Sequence, residues 1–317
     1  MYKKTRKKRL KMEAFQTACL LLGPLVFYEL CTEAAMAGCS LFAEHAKNAQ
    51  IRSLLSGSEA GLVVTGAGAL LAFPVLFSVY RNLTKMQVLA QNAGMLQLQK
   101  STQRTAGETL QKTEKNRSDG RNRFMEGCFF AALTGIGACL CLNMVLQVLF
   151  APSTGWSRVQ ETIYRTPGAL RILITVVLTP LTEELIFRGF IHKGLCMYMG
   201  TRLSVIFCAL LFGLYHGNLG QGVYAFLLGI CLELVTVWSG RLAPAVFLHA
   251  GANMAAAAFS VAAAYVRQVS QIPSLPDRLS FGNLPVLQTQ TAVILAAAGF
   301  LVAVTSLYKT KEVFEKV

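Results

Sequence analysis

The chain has 317 residues, 54% of them hydrophobic and only 15% charged, with 30 Lys and Arg against 16 Asp and Glu. A soluble globular domain carries about 25% charged residues, so the composition excludes an ordinary water-soluble fold. The apolar residues fall in long blocks, which predicts an all-α polytopic membrane protein; the blocks are too long and continuous for barrel strands.

In chain order, a basic segment over 1–12 (MYKKTRKKRLKM) carries seven Lys and Arg and precedes a first span over 14–31, extending to 37 if the apolar pattern continues. Basic run, apolar run and AMAGC at Ala35–Cys39 imitate a secretory signal with a small-residue cleavage site. Glu29 and Glu33 interrupt the apolar region, which favours an ordinary span. Spans over 60–79 and 127–150 follow, separated by the polar insertion 81–126. The Gln-rich first half of that insertion reads as an amphipathic or coiled cytoplasmic helix, and NRSDGRNR as a flexible turn. Residues 13–168, with few polar groups inside their spans, read as scaffold. Four spans come next, over 169–190, 203–219, 221–238 and 242–265. An external loop with three prolines occupies 266–288, and a last span over 289–308 leads to a cytoplasmic tail, which makes about eight transmembrane helices.

If every span crosses, 22 of the 30 Lys and Arg lie on one side and seven on the other, with Arg188 inside the membrane. The positive-inside rule then predicts both termini cytoplasmic, in the plasma membrane if the source is bacterial. The net charge of +14 reports this topology and contact with anionic lipid. Nucleic acid is not an expected partner, because no aromatics interleave the basic residues in a folded module. The nine cysteines contain no C-x-x-C pair, and six of them sit in apolar spans as small hydrophobes.

The polar residues inside these spans carry the functional signal. LTEELIFRGF, residues 181–190, places Glu183, Glu184 and Arg188 in one apolar helix. Each ionisable group at a helix centre costs roughly 2.5–3.5 kcal/mol on insertion scales. Glu184 and Arg188 are four apart, share a face and can pair as a structural ion pair. Glu183 points about 100° away and lacks that partner, which suits a carboxylate acting as a base. His216 follows Phe212 by four residues, and Asn253 follows His249 by four. Any one of these alone reads as an interhelical hydrogen bond. Together, Glu183, His216, His249 and Asn253 place four groups able to act on a carbonyl and a water where water is scarce. Glu233, near the cytoplasmic end of its span, reads as structural.

The three patterns, E-E-x-x-x-R at 183–188, F-x-x-x-H at 212–216 and H-x-x-x-N at 249–253, resemble those of the CPBP family. This family of intramembrane endopeptidases includes the type II CAAX prenyl protease and the bacterial bacteriocin-processing and immunity (Abi) proteins. The resemblance covers roughly 165–265, the expected catalytic core. It implies that Glu183 and His216 activate a water, and that His249 and Asn253 form an oxyanion hole. It further implies that Glu184 and Arg188, with Phe212, hold the site in place. The expected partner is a membrane-anchored or lipidated peptide in the bilayer, and no obligate protein partner is evident.

No cofactor is favoured. The alternative is one zinc held by Glu183, His216 and His249, an acceptable ligand set with an open fourth position, although H-E-x-x-H is absent. Asn is a poor zinc ligand, which favours glutamate-activated water. A non-proteolytic immunity or scaffold protein, using the same residues for helix packing, is the alternative function. At about 1.5 Å per residue, Glu183 and His249 lie about 10 Å below the cytoplasmic surface but His216 about 20 Å. Either the fifth span begins deeper, or 189–202 lies in the interface and the fourth span ends early; His192 and Lys193, awkward inside a membrane, favour the second.

Overall fold

The structure is a computed structural model of the chain, described over residues 2–57, 60–99, 112–149, 166–270 and 289–315. Every regular element among these residues is helical. Helices α1 (Tyr2–His45), α2 (Ala49–Ser56), α3 (Ala60–Gln99) and α4 (Lys112–Leu149) are followed by the composite α5 over 168–199. Then come α6 (Thr201–Tyr215), α7 (Leu219–Ser239), α8 (Leu242–Ser270) and α9 (Thr289–Glu315). Six segments are long and apolar enough to cross a membrane: Ala18–His45, Ala60–Met86, Gly120–Leu146, Leu219–Ser239, Leu242–Phe259 and Ala292–Glu315. The shorter apolar α6 and the composite α5 occupy the other two predicted spans. The chain is a polytopic all-α membrane protein.

Three local expectations change. The helix does not end at 190: α5 stays helical to Met199, with Gly189 through His192 buried, and only Gly200 separates it from α6. Packing against other helices, rather than lipid, accommodates His192 there. NRSDGRNR is helical and belongs to the start of α4. Its weak formers cost up to about 1 kcal/mol each, but adding turns to an existing helix avoids the nucleation penalty. The short α2 was not anticipated; Asn48 caps it by accepting hydrogen bonds from the Gln50 and Ile51 N–H groups at 2.8 and 3.3 Å. Of the proline-containing loop, residues 266–270 continue α8 and 271–288 lie outside the described residues.

Helix α5 is not uniform. Its α-helical parts, Gly168–Ile172, Thr179–Glu184 and His192–Met199, are separated by wider π-type turns over Leu173–Leu178 and Leu185–Ile191. Hydrogen bonds spanning five residues close those turns, from the Thr179 N–H to the Ile174 carbonyl and from the His192 N–H to the Phe187 carbonyl. Such turns recur at functional sites because they redirect side chains within a continuous helix. Leu185, Ile186, Phe187, Phe190 and Ile191 are buried in the core with Phe212 of α6, Leu228 and Leu232 of α7 and Leu248 of α8.

Helix α4 packs against α8 at backbone distance. A Cβ at Gly135 would sit 1.9 Å from the Leu248 carbonyl oxygen, and one at Gly251 would sit 2.4 Å from the Ala132 carbonyl oxygen. Only glycine permits that approach, the small-residue packing expected where lipid supplies no hydrophobic drive between helices. The seam runs directly behind His249.

Candidate active site

Glu183 and Glu184 end the central α-helical turn of α5, between its two wide turns, and both are buried. Their surroundings differ sharply. Glu184 Oε1 accepts a hydrogen bond from Arg188 Nη1 at 3.2 Å and another from His249 Nδ1 at 2.8 Å. Arg188 spends its other nitrogens on α7: Nε lies 3.1 Å from Glu233 Oε1, and Nη2 donates to the Gly229 carbonyl at 3.1 Å. The guanidinium lies 4.6 Å from the centroid of the Phe212 ring. A buried cation with carboxylates on two sides and an aromatic face is the kind of pairing a planar guanidinium tolerates away from water. Glu183 Oε2 is buried and accepts no hydrogen bond, and the same holds for Glu184 Oε2; the difference lies in Oε1 of Glu184, which two groups hold.

His249 links the two carboxylates. A carboxylate can only accept, so Nδ1 carries the hydrogen given to Glu184, and Nε2 faces Glu183 Oε2 at 3.9 Å. Phe212 sets both histidines. Its ring meets those of His249 and His216 edge-on, with centroids 5.7 and 4.9 Å apart, and Phe187 closes its other side at 4.9 Å. His216 ends α6, where Gly217 at φ +70° turns the chain towards α7. Its Nδ1–H donates to the Phe212 carbonyl at 2.8 Å, which leaves the Nε2 lone pair free. Asn253 Nδ2 donates to the Thr175 carbonyl at 2.7 Å, in the first wide turn of α5.

The geometry thus joins Glu183, Glu184, Arg188 and His249 directly, and His216 through Phe212. No hydrogen bond connects His216 or Asn253 to Glu183. One amide N–H of Asn253 is engaged with α5 and the second is free for a ligand. Among the described residues, no group of three or more His, Cys, Asp or Glu converges closely enough to hold a metal ion.

Sequence reasoning missed the far side of this cluster. Glu233 Oε2 contacts His192 Nδ1 at 2.5 Å, so the buried ionisable groups run from His249 through Glu184, Arg188 and Glu233 to His192. The two intramembrane oddities, Glu233 and His192, carried the signal separately, but nothing in their spacing of 41 residues pairs them. Tyr28 of α1 and Tyr215 of α6, whose hydroxyls interact, also stand within electrostatic reach of Glu183.

The described residues thus form a bundle of apolar helices that buries a cluster of carboxylates and histidines. Residues 165–255 match the family model described as Rce1-like, type II CAAX prenyl endopeptidase. That segment, which is similar to this family over less than a third of the chain, contains all seven residues singled out from the three motifs. No curated protein and no solved structure matches the chain.

Proposed function

We propose that the protein is a glutamate-dependent intramembrane endopeptidase that hydrolyses a peptide bond of a membrane-anchored or lipidated substrate. The observation that carries the assignment of roles is the contrast between the adjacent carboxylates. Glu184 is held through Oε1 by Arg188 and His249, whereas Glu183 Oε2 is buried with no hydrogen bond and only His249 Nε2 nearby at 3.9 Å. Two carboxylates in unlike surroundings divide into a fixed countercharge and a proton acceptor.

Glu183 takes a proton from a water as its oxygen adds to the scissile carbonyl, then returns the proton to the leaving amine. His216 Nε2, with its lone pair free, orients the same water. His249 donates from Nε2 to the oxyanion as an imidazolium, which the Glu184 carboxylate on Nδ1 stabilises. The free N–H of Asn253 supplies a second donor. No step passes through a metal. A site buried among spanning helices suits a substrate delivered within the bilayer, and a prenylated C-terminal segment is the first to try, given the family description.

The test is cleavage of a fluorogenic lipid-anchored peptide library by purified protein, wild type against Glu183→Gln, with and without a tight zinc chelator. The expected result is a rate loss of about 10²–10⁴ in Glu183→Gln and full wild-type activity under chelation. Loss on chelation with recovery on added zinc would replace the mechanism by zinc catalysis. Undiminished cleavage by Glu183→Gln would remove Glu183 from the reaction.

A further inference from the structure

The end of the buried chain opposite His249 has the form of a second reactive centre. His192 and Cys196 are four residues apart on the last α-helical part of α5, and Cys196 Sγ lies 3.3 Å from His192 Nε2. The other ring nitrogen, Nδ1, faces Glu233 Oε2 at 2.5 Å. The Nδ1–Glu233 contact is one of ion-pair distance without a hydrogen bond, and in the Nδ1–H tautomer Nε2 presents its lone pair to the thiol. Nucleophile, base and carboxylate are therefore consecutive neighbours, the grouping from which covalent catalysis activates a thiol. His192 is 92% buried and cannot swing away, since it is exposed to only 8%, while Cys196 is half-buried and reachable. Glu233 is itself anchored by Arg188 Nε at 3.1 Å.

We propose that Cys196 is an acyl-acceptor thiol, modified by a long-chain acyl thioester with His192 as base and Glu233 as its orienting group. The surface around the thiol selects this electrophile. Met197, Tyr198 and Leu203 beside it are exposed by half or more, so an acyl chain on Cys196 would lie along an apolar exterior at the end of a spanning helix. Juxtamembrane cysteines are the usual acceptors of such chains. The cysteine is free, and no three-ligand metal group exists among the described residues.

In the reaction the thiol proton passes to His192 Nε2 and the sulfur attacks the acyl carbonyl carbon. The new carbon–sulfur bond forms as the donor's carbon–sulfur bond breaks, and the departing thiolate takes the proton from His192. One thioester replaces another, with no oxidant or reductant.

The experiment incubates the purified full-length protein with palmitoyl-coenzyme A at neutral pH, followed by intact mass measurement and peptide mapping. The expected product is one hydroxylamine-labile acyl group on Cys196, absent in Cys196→Ser. In His192→Gln the acylation rate falls by about 10²-fold or more. Acyl groups spread over other cysteines, or none on Cys196 in the wild-type protein, would overturn the proposal without recourse to any variant. So would an undiminished rate in His192→Gln, or peroxide oxidation of Cys196 without acyl transfer. None of these outcomes bears on the peptidase reading, which uses neither Cys196 nor His192.

Discussion

Glu183 and Glu184 are neighbours in sequence whose removal should do opposite things. Glu184 holds both Arg188 and His249, so Glu184→Ala leaves a buried guanidinium short of a partner. Breaking a buried pair in this way costs about 3–5 kcal/mol, and thermal unfolding in detergent should show a strongly lowered Tm. Glu183→Gln, with no hydrogen bond to lose at Oε2, should keep a wild-type Tm while peptide hydrolysis slows by about 10²–10⁴. For Asn253→Ala the expected loss is about 10²–10³ in kcat with KM little changed, as for removal of one oxyanion donor. A loss confined to stability would instead assign Asn253 to the bond with Thr175. The Glu184–Arg188 pair was legible because a spacing of four fixes it on any helix. The rest of the arginine's coordination was not. A guanidinium donates in several directions, and periodicity within α5 says nothing of Glu233 or Gly229 on α7.

At the scale of elements, apolar blocks identified the crossings well, and their ends poorly. Hydropathy separates lipid-facing from aqueous segments, but α5 passes 190 because it is packed against protein, where His192 and Lys193 find Glu233 and Thr84. The two wide turns left no trace in the sequence, since they depend on backbone hydrogen bonding and not on residue type. The glycine seam is likewise visible only once α4 and α8 are paired. Gly135→Ala places a methyl group against the Leu248 carbonyl, a backbone atom that cannot rotate away. The expected effect is a stability loss of about 1–3 kcal/mol, read as a lowered Tm, together with reduced peptidase activity from displacement of the neighbouring His249. Gly38→Ala in α1, where a Cβ meets nothing within 4 Å, is the matched control and should be neutral or slightly stabilising.

For the whole molecule, the charge distribution predicts that both termini face the cytoplasm, which places α2 outside. In a cysteine-free background, Ser53→Cys on α2 should react with a membrane-impermeant maleimide in intact cells, whereas Ser239→Cys between α7 and α8 should react only after permeabilisation. The reverse pattern would invert the topology. The close backbone fit of α4 to α8 also has a mechanical consequence. Displacing α4 presses on the peptide group of residue 248 and so disturbs His249, which makes that flank of the bundle a fixed wall. Near Glu183, by contrast, α1 and α6 meet through the side chains of Tyr28 and Tyr215, and side chains can rotate where backbones cannot. The wall behind His249 is therefore backbone, whereas the Tyr28–Tyr215 contact near Glu183 is made by side chains alone.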